Sequence, residues 1–166
     1  MAADNPYAPP ESDVTVDESS MLASRWRRLG GAIIDSILSM LVIVPTMIYT
    51  GIWEKSMAGE PELADNLLLT GVAFVAFLVM QGYLLATSGQ TIGKRLVGTR
   101  IVSIEDEKIL SLGKVIGLRY LPLWVGSQVP IVGPFVGLID VLFIFRSDKR
   151  CVHDLIAGTK VINATR

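Results

Sequence analysis

Two long apolar runs dominate the pattern of hydrophobic and polar positions along the chain. The first, from Leu29 to Ile52, contains one acidic residue, and the second, from Leu67 to Thr87, contains no formal charge. At 1.5 Å per residue these runs form helices about 36 and about 31 Å long, enough to cross the hydrocarbon core of a bilayer. The pattern therefore predicts two full transmembrane helices.

A third apolar stretch runs from Val115 to Phe145, and its turn-forming residues lie near its middle, at 128–133. Two helices drawn from it would each be only about 22 Å long. We therefore expect a helical hairpin that is short, tilted or only partly penetrating, because interrupted helices are tolerated where they pack inside protein. The predicted fold class is an all-α membrane protein of three to four spans: two full transmembrane helices plus a short broken helical hairpin.

Two β-branched segments lie outside the apolar runs, at 99–104 and 159–162. They predict two strands that pair into a small cytoplasmic β element. The first residues differ in composition, being acidic, rich in proline and poor in aliphatic side chains. Such a segment cannot bury enough apolar surface to fold. We therefore expect a disordered cytoplasmic tail over 1–23 and one membrane domain over 24–166.

Basic and acidic residues are segregated between the segments that flank the predicted spans, although the formal net charge of the chain is only −1. The mean hydropathy is positive. Basic residues cluster at 25–28, 94–100 and 146–150, whereas the loop at 53–66 is mainly acidic. Loops rich in lysine and arginine remain on the cytoplasmic side, so both termini are expected there. The bilayer is thus the expected partner, and the basic clusters need no nucleic acid to explain them.

Several polar residues interrupt the apolar runs, at about 8 to 10 Å from the cytoplasmic boundary. They are Asp35, Gln81, Arg119 and Asp140, and Arg28 lies on the same helix face as Asp35. A carboxylate in hydrocarbon costs about 2.5 to 3.5 kcal/mol. We therefore expect Arg119 to bridge one or both aspartates within a shared layer.

The sequence leaves more than one interpretation of this intramembrane layer open. In the first, the charges form a structural network that fixes helix register. In the second, two carboxylates beside one arginine leave a surplus negative charge, which could bind and release a proton or a monovalent cation. A site for a partner helix or a lipid headgroup is a further alternative.

Other candidate features carry weaker signals. Gly133 and Gly137 form a GxxxG pair, which permits close helix packing within the chain or in a homo-oligomer. Cys151 is the single cysteine, so no intrachain disulfide is possible, and we expect a structural thiol. For His153 and Asp154 we expect a loop-anchoring or capping role. Because no catalytic motif or clustered metal-ligand motif is apparent, we predict no enzymatic activity, no metal and no cofactor.

Three motifs carry a family resemblance. They are RLGGAIID at 28–35, QTIGKRLVGTRIV at 90–102 and HDLIAGTKV at 153–161. Together with Asp140 they resemble the RDD family of small bacterial membrane proteins, which is named for one arginine and two aspartates. By motif position the arginine corresponds to Arg28 and the aspartates to Asp35 and Asp140.

The resemblance covers about residues 24 to 163 and implies an RDD-like protein of the bacterial inner membrane. For some members cation/proton exchange has been suggested, so the resemblance implies transport as a candidate function. The alternative is a non-enzymatic membrane adaptor or assembly factor that holds a membrane partner protein. In that case the buried charges would be purely structural.

Overall fold

The computed structural model describes residues 21–60, 62–129 and 131–164. Two long helices dominate it: α1 (Arg25–Thr50) and α3 (Leu63–Ser88), each of 26 residues. The short helix α2 (Ile52–Ala58) connects them. Gly51 ends α1 at a positive φ of 74°, a conformation that glycine adopts without a steric penalty. The two long apolar helices predicted from the sequence are confirmed.

These two helices are hardly buried by the rest of the chain. In the most apolar 18-residue window of each helix, 6% of α1 and none of α3 is buried. The core helix of a water-soluble protein would be largely covered, because exposed apolar area of this extent is unfavourable in water. At about 39 Å each, both helices are long enough to cross a bilayer.

The remaining helices and strands are shorter. In chain order they are α4 (Ile92–Leu96), β1 (Thr99–Ser103), α5 (Leu112–Lys114), a π-helical segment (Val115–Tyr120), α6 (Leu121–Ser127), α7 (Gly133–Leu142), a 3-10 turn (Phe143–Phe145), α8 (Val152–Ala157) and β2 (Thr159–Asn163). The residues from 112 to 127 form one continuous limb and α7 forms the other, so the predicted broken hairpin is present. We call α4, β1, α8 and β2 the polar cap.

The two strands form an antiparallel sheet, with Thr99 opposite Asn163 and Ser103 opposite Thr159. The predicted pairing is therefore confirmed. Leu22 forms a further bridge to Ile162 on β2, and Ala23 is fully buried. The structured chain thus includes residues 22 and 23, which the sequence assigned to the tail. Residues 1–20 of that predicted tail lie outside the described residues.

The glycine pair of α7 does not form one packing face. A Cβ atom at Gly133 would lie 2.2 Å from the carbonyl oxygen of Ser127, so the two limbs of the hairpin touch there through their backbones. A Cβ atom at Gly137 would meet no described atom within 4 Å. Within the chain, only Gly133 provides the close approach that the GxxxG spacing predicted.

Candidate functional site

Asp154, in α8, is fully buried and forms the centre of a charge network. Arg28 of α1 and Arg119 of the π-helical segment each donate a charge-assisted hydrogen bond to its carboxylate. The backbone N–H of Cys151 and the hydroxyl of Thr159 also donate to it, both at 3.1 Å. One carboxylate therefore joins α1, the hairpin, α8 and β2.

The charge state of Asp154 follows from its neighbours. Burial alone would raise the pKa of this carboxyl, but Arg119 and Arg28 hold the pKa far below its ordinary range. The neighbouring Cys151 has a pKa shift of the opposite direction, because burial raises the pKa of its thiol to about 11. Asp154 is thus a permanent anion, and Cys151 is a neutral thiol, which agrees with a structural role.

Asp35 of α1 has a separate set of partners. Its Oδ1 atom accepts hydrogen bonds from Gln81 Nε2 at 2.9 Å and from the backbone N–H of Gly93 at 2.8 Å. Its Oδ2 atom accepts from the hydroxyl of Thr91. The side-chain oxygen of Gln81 accepts from the backbone N–H of Ile92 at 2.7 Å. Asp35 and Gln81 thereby satisfy amide groups that the first turn of α4 leaves unpaired.

The close contact between α1 and α4 requires a glycine. A Cβ atom at Gly93 would lie 2.1 Å from the carbonyl oxygen of Gly31 and 2.9 Å from Cγ of Asp35. No real Cβ atom could occupy that position, so Gly93 allows the backbone to reach the carboxylate. This role was not predicted from the sequence, although Gly93 lies inside the QTIGKRLVG motif.

Asp140 of α7 binds His153 of α8. Its Oδ1 atom accepts from the backbone N–H of His153 at 2.9 Å, and Oδ2 lies 2.6 Å from the ring Nδ1. The other ring nitrogen is 3.8 Å from Asp154 Oδ1. Burial and the charge of Arg119 lower the pKa of His153, despite its hydrogen bond to Asp140. His153 therefore anchors α8 to α7 as a neutral ring at pH 7.

The prediction that Arg119 bridges Asp35, Asp140 or both is wrong. Among the described residues, Arg119 forms its ion pair with Asp154. The four residues predicted to share a layer, and Arg28 on the same helix face as Asp35, instead join three clusters: Arg28 and Arg119 at Asp154, Gln81 at Asp35, and Asp140 at His153. The reason is that the polar cap folds against the helices and supplies its own carboxylate, amide and imidazole groups.

The predicted surplus of negative charge is also wrong. That prediction counted the carboxylates of Asp35 and Asp140 against Arg119 alone. The structure adds one carboxylate, Asp154, and two cations, Arg28 and Lys94. Three carboxylates and three cations therefore lie together, and their formal charges balance.

A groove of about 490 Å³ lies beside this cluster, bounded by α1, α3, α4 and the π-helical segment. Its polar end includes Asp35, Lys94, Arg119, Tyr120 and His153. Burial, assisted by the charge of Arg119, lowers the pKa of Lys94 to about 8. Lys94 forms no ion pair with a carboxylate in the part of the chain that the structure describes. The groove thus holds a cation that titrates near neutral pH.

A possible metal-ligand set lies near the groove. Ligand atoms of Asp140, Cys151 and His153 lie within 4.8 Å of one another. However, Arg28 Nη2 is 3.6 Å from the Cys151 sulfur, and a metal would have to displace the proton of this thiol. Positive charge and the bound proton both disfavour a divalent cation here, so we do not assign a metal site.

The RDD family profile matches residues 22–158, a range that contains the two long helices, the groove and the charge cluster. The chain belongs to the RDD family. As an RDD protein with two apolar helices, it is best described as a membrane protein. The three residues of the family resemblance occupy different clusters: Arg28 binds Asp154, Asp35 binds the start of α4, and Asp140 binds His153.

This RDD protein is similar in sequence to two bacterial proteins. The chain is 35% identical to the uncharacterized protein YckC of Bacillus subtilis, over 86% of this chain and 85% of that protein. It is 30% identical to an uncharacterized protein of Haemophilus influenzae, over 55% of this chain and 56% of that protein. No solved structure matches the chain significantly.

Proposed function

We propose that this RDD protein exchanges a monovalent cation for a proton across the bacterial inner membrane. The observation that carries the proposal is the presence of Asp35 and Lys94 in one groove. A carboxylate and an ammonium group that titrates near neutral pH are the two components that such an exchange needs. No covalent chemistry is involved, and we propose no enzymatic activity.

In the proposed exchange, a proton on Lys94 and a cation beside Asp35 exclude each other. Below about pH 8 Lys94 is charged, and its ammonium group repels a second cation. Above that pH Lys94 is neutral, so Na⁺ or K⁺ can take its place. The charged groups that act on Lys94 are Asp35 and Arg28 from α1, Arg119 from the hairpin and Asp154 from α8. Cation binding should therefore increase as pH rises through about 8.

Two long helices and a short hairpin offer little protein to enclose a pathway through the bilayer. We therefore propose that exchange takes place in a homo-oligomer, whose helices would complete the walls. A partner protein in the membrane would serve the same purpose.

Lys94→Arg should abolish the exchange while the protein stays folded. Arginine keeps its charge at every accessible pH, so the site can no longer release a proton. Purified protein in liposomes with an internal pH dye should respond to Na⁺, K⁺ or Li⁺ pulses, and the variant should lose at least about tenfold in rate. Lys108→Arg, in an exposed turn, is the matched control and should behave like the wild type.

Asp35→Asn provides a second test of the same site. An asparagine can keep the Oδ1 bonds from Gln81 and Gly93, and the Thr91 hydroxyl can rotate to accept from the new amide. The variant should fold and lose exchange. Full exchange by well-folded Lys94→Arg or Asp35→Asn protein would refute the proposed site. If the wild type moves no protons, the adaptor or assembly-factor function becomes the better explanation.

We further propose a multi-pass topology with both termini and the polar cap in the cytoplasm. Arg25 and Arg146 lie at the polar-cap end, where the Arg25 side chain donates to the Arg146 carbonyl. At the opposite end Lys55 pairs with Glu62 and Asp65. The positive-inside rule favours the cytoplasm for the first end.

Single-cysteine labelling in intact cells tests this topology. In a Cys151→Ser background, Glu60→Cys should react with an impermeant maleimide from outside, whereas Asp106→Cys should react only after the membrane is opened. External labelling of position 106 would reverse the proposed orientation. Protection of position 60 in intact cells would contradict the α1–α3 hairpin topology.

A further inference from the structure

We infer that a basic pocket, where the polar cap meets the long helices, binds a phosphate ester. The ester is either the headgroup of an anionic lipid or a soluble molecule with the same group. The pocket has a volume of about 630 Å³, and Arg27 of α1 and Arg95 of α4 line it. It shares no lining residue with the groove that holds Asp35 and Lys94. The inference therefore goes beyond ion exchange and does not depend on it.

The basic pocket carries two positive charges, and no acidic side chain lines it. Within the described part of the chain, neither Arg27 nor Arg95 forms an ion pair with a carboxylate. Arg27 instead donates a hydrogen bond to the side-chain oxygen of Asn163 at 3.0 Å. Both arginines are exposed, so a ligand in the pocket can reach their guanidinium groups.

The other polar side chains of the basic pocket already donate their hydrogen bonds within the protein. The Ser88 hydroxyl donates to the Leu84 carbonyl at 2.8 Å, and the Gln90 amide donates to the Thr99 carbonyl at 2.8 Å. The guanidinium groups are thus the donors that remain for a ligand. Because guanidinium groups form their strongest hydrogen bonds with oxyanions, the ligand should be an anion rather than a neutral molecule.

The position of the basic pocket favours phosphate as that anion. Arg27 lies in the first turn of α1, and Ser88 is the last residue of α3. In a bilayer crossed by both helices, these ends lie at the boundary where lipid phosphates are found, and basic pockets there bind phosphate headgroups. Leu96 also lines the pocket and is 70% exposed. An apolar side chain beside two cations matches an amphiphilic ligand.

Native mass spectrometry of the full chain, released from neutral detergent micelles, tests the inference. Phosphatidylglycerol, phosphatidylcholine and glycerol phosphate are each titrated at one fixed ionic strength, so that general screening stays constant. At least one of the two anionic esters should bind about tenfold more tightly than phosphatidylcholine. Tight binding of phosphatidylglycerol alone supports the pocket and assigns a lipid headgroup. Equally tight binding of glycerol phosphate supports the pocket and assigns a soluble ester.

Arg27→Gln combined with Arg95→Gln should remove the preference for the anionic ester, because it removes both charges of the basic pocket. Lys108→Gln combined with Lys114→Gln is the matched control, since both lysines are exposed and neither lines the pocket. Arg95→Gln alone should fold normally and weaken binding several-fold. Binding of both anionic esters no tighter than that of phosphatidylcholine would overturn the inference. An equal loss of preference in the lysine control would also overturn it.

Discussion

Asp154→Ala should destabilise the protein by about 3 to 5 kcal/mol, more than any other single change considered. The substitution leaves two buried guanidinium groups, those of Arg28 and Arg119, without their shared counter-charge. It also removes the acceptor for Cys151 N–H and the Thr159 hydroxyl. Denaturant unfolding in detergent micelles, followed by tryptophan fluorescence, measures the free energy of unfolding.

Asp148→Ala is the matched control for this prediction. Asp148 pairs with Arg146 at a partly exposed position, where an ion pair contributes at most about 1 kcal/mol. Asp154→Asn should still be strongly destabilising, because it keeps acceptor capacity but loses the charge. An Asp154→Ala protein as stable as the Asp148→Ala protein would contradict the central position of Asp154 in the fold.

The pH dependence of this contribution has a definite sign. The folded-state pKa of Asp154 lies below the ordinary value of 3.8. A depressed pKa contributes stability that is fully present above the ordinary value and is lost as pH falls through the folded value. The stabilisation from Asp154 should therefore persist in mild acid and disappear only under strongly acidic conditions.

Gly93→Ala should be the second most damaging change, costing about 1 to 3 kcal/mol through overpacking. The new methyl group would collide with backbone at Gly31 and with the Asp35 carboxylate, so α4 must move away from α1. The same denaturant-unfolding experiment measures the loss in the free energy of unfolding. Gly71→Ala on α3 is the control, since its added methyl group meets no described atom within 4 Å.

At Gly71, alanine should be neutral or stabilising by about 0.5 to 1 kcal/mol, because it is the better helix former. If Gly93→Ala and Gly71→Ala change the free energy of unfolding equally, the contact between α1 and α4 is not tight. A Gly93→Ala protein with the free energy of unfolding of the wild type would also remove the physical reason for a glycine at this position.

The elements that could be predicted from the sequence are those with a strong local signal. The lengths of the apolar runs predicted α1 and α3, and the β-branched segments predicted β1 and β2. Helical rise also predicted a shared depth for Asp35, Gln81, Arg119 and Asp140, and this stays a prediction. These properties depend on residues close together along the chain, so no tertiary information was needed.

The partners in the charge network could not be predicted in the same way. Arg119 binds Asp154, which lies in a short polar helix with no apolar run around it, and its depth could not be inferred from the sequence. Lys94 appeared to be an ordinary flanking cation because the fold of α4 against α1 is not visible in local patterns. The predicted surplus of negative charge therefore left out Asp154, Arg28 and Lys94, which balance the formal charges.

The bond between Arg28 and Asp154 has a consequence for the synthesis of the protein. The two residues are 126 positions apart, so the ribosome must add 126 residues after Arg28 before its counter-charge exists. During that interval α1 lacks the carboxylate that Arg28 binds in the folded protein. A nascent chain stopped before Asp154 would leave this guanidinium without the carboxylate that binds it in the folded protein.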